Sequence, residues 1–161
     1  MTYSSKQNIS REEALSRAMR YCAYQERSTG DVVRKLNDWG LDDDEAIFWV
    51  IDNLKNEKFV DDQRFARIYA NSKLNQNQWG KNKIKYALRE KSVPDGYIKH
   101  AIEQLPDDKY HEVLQKLANE KAKKTGLKTR EQRARLTRFL LQRGFSQEEI
   151  NKAIHELIKD I

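Results

Sequence analysis

Cysteine, proline and long apolar runs are nearly missing from this chain. Its 161 residues include one Cys, two Pro and six Gly. The single Cys22 cannot form an internal disulfide, and its neighbours Ala18, Met19 and Tyr21 make it a small buried apolar residue rather than a reactive thiol. So few helix breakers suit helix-rich stretches, and no alternating strand pattern of useful length appears. No apolar run approaches the roughly 18 residues of a membrane span. Met1 to Asn8 has no apolar core of the kind a secretory signal needs, so no membrane association and a cytoplasmic location are expected. Catalytic signatures are missing too. There is no phosphate-cradling glycine loop, and His100, His111 and His155 fall on different expected helices without zinc spacing. Asp61/Asp62 and Asp107/Asp108 read as helix N-terminal residues favoured by the dipole, not as acid–base partners. No catalytic residue, metal ligand or cofactor is expected, and the chain reads as something other than an enzyme.

What is present is a repeat. Leu136, Leu140, Gly144, Phe145, Ser146, Ile150, Ala153, Ile154 and Leu157 describe two short amphipathic helices meeting at a glycine. The same pattern runs through Ile84, Leu88, Ser92, Val93, Pro94, Ile98, Ala101, Ile102 and Leu105. It occurs again in Val32, Leu36, Gly40, Leu41, Asp42, Ile47, Val50, Ile51 and Leu54, here with one extra residue within Asp42 to Ala46. The closing leucines, Leu54, Leu105 and Leu157, lie 51 and 52 residues apart, the period of a helical repeat protein. Gly40 and Gly144 stand where a helix ends in the left-handed conformation, and Leu41 or Phe145 then packs back. Ser146 with Glu149, and Asp42 with Glu45, have capping-box spacing, while Pro94 suits a first helical turn.

In chain order, residues 1–9 read as a flexible start, and Ser10 with Glu13 caps a helix reaching about Arg27. Ser28 with Asp31 opens a helix from Asp31 to Trp39, and the next runs to about Leu54. A second unit opens with an aspartate-capped helix that buries Phe65 and Tyr69, followed by a connector from Asn75 to Gly80. The third has a helix through Tyr110, Leu114 and Leu117, a basic loop from Lys121 to Lys128, and a Thr129/Gln132 cap. The expectation is an all-α chain of nine helices in three tandem three-helix, helix-turn-helix-like repeats (10–58, 59–106 and 107–161). With no Pro/Gly/Ser linker between them, each should pack on its neighbour in one elongated, curved array.

The net charge of +6 is uneven: −2 over residues 1–58, +4 over 59–106 and +4 over 107–161. Lys81, Lys85 and Arg89 recur every four residues as a stripe on one helix. Lys123, Lys124, Lys128, Arg130, Arg133, Arg135 and Arg138 form a second basic region. These ten residues are the candidate partner- or DNA-binding set. Tyr24, Trp39, Trp49, Tyr86 and Tyr97 could stack on bases, but short helical bundles more often bury such rings.

The run Arg138-Phe139-Leu140-Leu141-Gln142-Arg143-Gly144-Phe145-Ser146 with Ile150 and Ile154, the run Asp61-Asp62-Gln63-Arg64-Phe65-Ala66, and the Gly80–Lys81–Ile84–Leu88 spacing carry a family likeness. Together with the triplicated cassette, from about Ser10 to Leu157, they resemble the RecX family of recombination regulators. Ser92 stands where the second family repeat usually has glycine. The resemblance implies a bacterial cytoplasmic protein that binds the RecA nucleoprotein filament and restrains its ATP hydrolysis, strand exchange and co-protease activity. It implies occupancy rather than catalysis, with the array lying along the filament groove or at its end. Direct binding to single- or double-stranded DNA should be weak, and the chain should be a monomer. The assignment of basic residues to the contact comes from charge placement, not from the resemblance.

Two other readings stand beside this one. A three-helix unit with a tight turn is also the build of DNA-binding helix-turn-helix modules, although acidic Asp44, Glu45 and Asp52 on the last helix of the first repeat would repel phosphate. The array could equally be an interaction scaffold unrelated to recombination.

Overall fold

The computed structural model describes residues 9–160, so of the expected flexible start only Ile9 is described, and it packs against the first core. Among the described residues there are nine α-helices and no strand: α1 (Arg11–Tyr24), α2 (Thr29–Asp38), α3 (Asp44–Asn56), α4 (Asp62–Asn77), α5 (Lys81–Glu90), α6 (Asp95–Glu103), α7 (Asp107–Thr125), α8 (Arg130–Gln142) and α9 (Gln147–Lys159). They group in threes. Within each triplet the first helix packs on the third, and the second and third form the repeated cassette.

Local chemistry sets most of the boundaries. Ser10 and Asp61 accept the backbone N–H three residues on, and Ser28, Thr129 and Ser146 form complete capping boxes with Asp31, Gln132 and Glu149. The expected Asp42/Glu45 box does not form. The extra residue of this copy moves the start one position on, and Asp43 accepts from Ala46 N–H at 3.0 Å. Pro94 sits at the N-cap rather than inside the first turn, because its extended ψ of 140° leaves its carbonyl to accept from Tyr97 and Ile98. The basic loop shrinks to 126–128, since α7 continues through Lys121, Lys123 and Lys124, cations favoured at a helix C-terminus. Likewise α4 runs on to Asn77 and reduces the expected connector to Gln78, Trp79 and Gly80.

All three cassettes turn in the same way. Gly40 (φ 95°), Ser92 (φ 59°) and Gly144 (φ 97°) are left-handed, so the serine does not change the turn. At each site the left-handed residue donates to the carbonyl three residues back (Asn37, Arg89 or Leu141). The next residue, Leu41, Val93 or Phe145, donates to Leu36, Leu88 or Leu140 at 2.9–3.2 Å. That apolar residue is then buried, which aims the third helix back across the second.

The three repeats do not share one core. A first cluster, built on Ala14, Ala18, Val32, Leu36, Val50 and Leu54, gathers α1–α3 with Leu41 and with Phe59 and Val60 of the segment leading to α4. A second runs without a break from Phe65 in α4 to Ala153 in α9 and unites the second and third repeats. The expected packing of each unit on its neighbour is therefore apolar at one junction and polar at the other.

Both junctions use the same geometry. The N-cap of α2 meets the end of α5, where the Ser28 hydroxyl donates to the Lys91 carbonyl at 2.9 Å. Fifty-two residues on, the N-cap of α5 meets the end of α8, where Gly80 N–H donates to the Arg143 carbonyl at 2.7 Å and Asn82 N–H to that of Gly144 at 3.0 Å. Around Ser28 the remaining contacts are polar: Lys91 Nζ to Asp31 at 3.3 Å, Thr29 N–H to Asp62 at 2.8 Å, and Arg64 to Glu26 at 3.1 Å. The buried Thr29 hydroxyl has no partner among the described residues. Around Gly80, buried Tyr110 bridges instead, accepting from Lys81 N–H at 3.1 Å and donating to Glu149 at 3.2 Å.

Candidate partner-binding surface

The repeated cassette leaves a groove between its second and third helices, and in repeats two and three that groove is basic. Between α5 and α6 it is lined by Lys85, Arg89 and Lys99 over Ile98 and Ile102, with Asp95 and Glu103 alongside. Arg89 pairs with Asp95 at 3.5 Å, but both are well exposed, so the pair is of little energetic weight and leaves the arginine available. Between α8 and α9 the corresponding groove, about 740 Å³, holds Arg130, Arg133 and Arg138 over Ile154 and Ile158. At the 52-residue period the carboxylates of the first groove become neutral or weakly basic groups: Asp95 corresponds to Gln147 and Glu103 to His155. Among the described residues no carboxylate lines the α8/α9 groove, so the arginines there set a positive potential.

The structure divides the predicted basic stripe. Lys85 and Arg89 face the α5/α6 groove, but Lys81 lies at the junction with the third repeat, its ammonium 4.5 Å from the Tyr110 ring centre. The second basic region divides as well. Arg130, Arg133 and Arg138 line the α8/α9 groove, whereas Lys123 and Lys128 line a neighbouring hollow between the end of α7 and the end of α9, which Arg133 also reaches. Lys124 and Arg135 are exposed and line neither.

Of the aromatics, Trp39 meets Tyr21 edge-on and Trp49 lies 4.5 Å beneath the Arg11 guanidinium, both partly buried. Tyr24, Tyr86 and Tyr97 are not core residues: they are 84%, 65% and 41% exposed. Tyr86 belongs to a group the sequence did not reveal. It shares a groove at the polar junction with Tyr69, Trp79, Lys83 and Lys91, where Lys73 and Lys83 stand 4.9 and 4.6 Å from the Trp79 ring centre. These residues come from α4, its connector and α5, and Trp79 lies outside the repeated cassette. The one available signal was a tryptophan in a connector flanked by lysines.

The titrating groups in and near these surfaces are structural. Burial lifts the Tyr110 hydroxyl far above the ordinary tyrosine range. Burial likewise pushes the Cys22 thiol up to about 11, consistent with the small apolar role expected of it. Burial would raise the Asp31 carboxyl, but the Lys91 ammonium, Arg34 and the Ser28 N–H outweigh it and hold the pKa below the usual range. Among the described residues no group of three or more His, Cys, Asp and Glu is placed to hold a metal ion, and no helix is long and apolar enough to cross a membrane. The grooves offer charge and shape to a macromolecular partner.

Comparison with known proteins agrees with this architecture. Residues 14–54, 61–102 and 107–154 match the families described as the first, second and third three-helix domains of RecX. The chain is 32% identical over 145 residues to the regulatory protein RecX of Clostridium tetani, with 88% of this chain and 65% of that protein aligned. It is 31% identical over 148 residues to the Prosthecochloris aestuarii protein of the same name (91% and 94% aligned), and 29% identical over 158 residues to that of Acinetobacter baylyi (97% and 95%). Against several relatives the chain is short, spanning 65% of the Clostridium tetani protein and 53% of that from Oceanobacillus iheyensis. The crystal structure of RecX from Lactobacillus salivarius superposes with a TM-score of 0.82 at 25% identity, over 91% of this chain and 96% of that one.

Proposed function

Since this chain belongs to the RecX family, whose curated members are called regulatory proteins, we propose that it regulates recombination by binding the RecA nucleoprotein filament and restraining its ATPase, strand-exchange and co-protease activities. The observation that carries this reading is the recurrence of a basic groove at the same place in two successive repeats whose core is continuous. Charge repeated at a fixed structural period suits a partner that is itself periodic and acidic, as a filament of protein on nucleic acid is. Lys85 and Arg89 in one groove and Arg130, Arg133 and Arg138 in the other make the main contact, with Lys81, Lys123, Lys124, Lys128 and Arg135 at its margins. The action is occupancy and needs no cofactor. A cytoplasmic monomer with weak direct affinity for DNA completes the reading.

The test is the DNA-dependent ATP hydrolysis of RecA from the same cell, with this protein titrated in at physiological salt and single-stranded DNA in excess. Inhibition should begin well below one protein per RecA subunit. The pair Lys85→Glu/Arg89→Glu, and separately Arg130→Glu/Arg138→Glu, should each weaken it at least about tenfold while leaving helicity intact. No inhibition by the parent, together with tight binding to naked DNA, would move the assignment to a DNA-binding module.

A further inference from the structure

The hollow at the end of α7 adjoins the α8/α9 groove, with which it shares Arg133 and Ile158, but most of its other walls come from α7 and the loop that follows it. Its floor is aliphatic, made by Leu127, Leu157 and Ile158, and its charged rim is Lys123, Lys128 and Arg133, with no carboxylate and no aromatic ring in the lining among the described residues. None of the three cations is in an ion pair among the described residues. The hollow is an open cleft of about 750 Å³, of the size of clefts that take a ligand side chain or short segment, roughly 300–1,000 Å³.

The walls are preformed. Gly126 takes φ 81°, ψ 168°, open to glycine and strained for other residues, and this lets the chain leave α7 and double back to α8. Lys128 N–H and Thr129 N–H both donate to the Gln132 side-chain oxygen at 2.8 and 3.0 Å, and Arg133 donates to the Leu127 carbonyl at 3.2 Å. A loop tied at three consecutive positions loses little freedom when a ligand arrives, so more of the contact energy appears as affinity.

We propose that this hollow is a docking site for a short acidic peptide segment of a protein partner, one that inserts a bulky aliphatic side chain between Leu127, Leu157 and Ile158 while flanking aspartates or glutamates meet Lys123, Lys128 and Arg133. The three cations select a negative ligand. The aliphatic floor selects between negative ligands: it offers no ring on which a base could stack, and a sugar–phosphate chain would leave it empty. A carboxylate-flanked leucine or isoleucine satisfies rim and floor together. The inference rests on the preceding reading only in placing a macromolecular partner at this end of the molecule, and its test contains no RecA, so the two can fail separately.

The probe is a short fluorescein-labelled peptide of aspartate and glutamate around two central leucines, titrated with the full chain and followed by anisotropy at physiological salt. Saturable binding is expected, at least about tenfold weaker when the leucines are replaced by serine, the equivalent of losing a buried aliphatic side chain. Lys123→Glu/Lys128→Glu should weaken it comparably, whereas Lys85→Glu/Arg89→Glu should leave it unchanged. Ile158→Glu, at a position 45% exposed and so tolerant of charge, should abolish binding without moving the thermal midpoint. Absence of saturable binding would overturn the proposal. Equal affinity for the serine peptide would overturn it too, as would a single-stranded oligonucleotide of matched charge binding more tightly with the same dependence on Lys123, Lys128 and Ile158.

Discussion

Replacing Gly80 by alanine tests the junction between the second and third repeats in isolation. Gly80 has φ −78° and ψ 167°, which alanine adopts freely, so the substitution introduces no backbone strain. Its new Cβ would instead fall on the backbone of the neighbouring turn, against the carbonyl carbon of Gly144 and the amide nitrogen of Phe145, and 2.5 Å from the Gly144 oxygen. Backbone cannot rotate away as a side chain can, so the two helix ends must separate. Separation breaks the Gly80-to-Arg143 and Asn82-to-Gly144 hydrogen bonds and loosens the Tyr110 bridge. Two hydrogen bonds at about 0.5–1.5 kcal/mol each, with a further penalty if a donor stays buried and unpaired, give a loss of about 2–4 kcal/mol. That is a large share of the roughly 5–15 kcal/mol of a typical domain. Urea unfolding followed by far-ultraviolet circular dichroism measures it. Gly96→Ala is the control: a Cβ there meets nothing within 4 Å, and the helical position should gain about 0.5–1 kcal/mol from alanine. A Gly80→Ala protein within about 0.5 kcal/mol of the parent, or no less stable than Gly96→Ala, would refute the close-approach argument.

Four further outcomes concern the first repeat and its junction with the second. A double-mutant cycle on Asp31→Asn and Lys91→Met should show coupling of about 1 kcal/mol, seen as early loss of hydrogen-exchange protection in the first repeat alone. Because the Asp31 carboxyl titrates below its ordinary value of 3.8, its contribution is complete above that pH and is lost as pH falls through the depressed pKa. The parent and Asp31→Asn should thus differ in stability at neutral pH and converge in strong acid; a gap that persists there would exclude the ionised carboxylate as its source. Cys22, with its thiol raised to about 11 by burial, should resist a disulfide-exchange reagent at pH 8 until the first repeat opens, and prompt labelling of native protein would contradict that. Ser92→Gly should relieve about 1 kcal/mol of left-handed strain, less the entropy glycine adds to the unfolded chain; clear destabilisation would mean the serine side chain itself holds the junction.

The parts of this fold that were legible in the sequence are those written in local spacing. Ser28/Asp31, Thr129/Gln132 and Ser146/Glu149 announce helix starts because a capping box needs only residues three apart, and the period of the leucines announces the repeat. Where local signals are degenerate they mislead by one residue: any of Asp42, Asp43 and Asp44 could cap α3, and only the register of the helix selects Asp43. What depends on two repeats at once stayed hidden. Lys81 has the same four-residue spacing as Lys85 and Arg89, yet it stands at the helix end that meets Tyr110, which periodicity within one helix does not show. Trp79 was passed over because the lysines beside its ring, Lys73 and Lys83, come from different helices. The separation of the first core from the second was invisible because Ser28, Asp31 and Lys91 look like ordinary surface residues until they face one another.

That separation bears on how the molecule could work. In both junctions the N-terminus of one middle helix receives the last carbonyls of the next, so α8, α5 and α2 meet end to end with positive dipole ends against negative ones. The geometry is shared, but what reinforces it differs. Between repeats two and three a continuous apolar core and the Tyr110 bridge hold the two basic grooves in a fixed relation. Between repeats one and two the reinforcement is a handful of partly exposed polar contacts, which salt weakens and which a competing charge could replace. The charge follows the same division, +4 on each repeat of the rigid pair and −2 on the loosely held one. A partner with acidic features would meet two basic grooves held in register by one continuous core, while the acidic first repeat joins them through polar contacts.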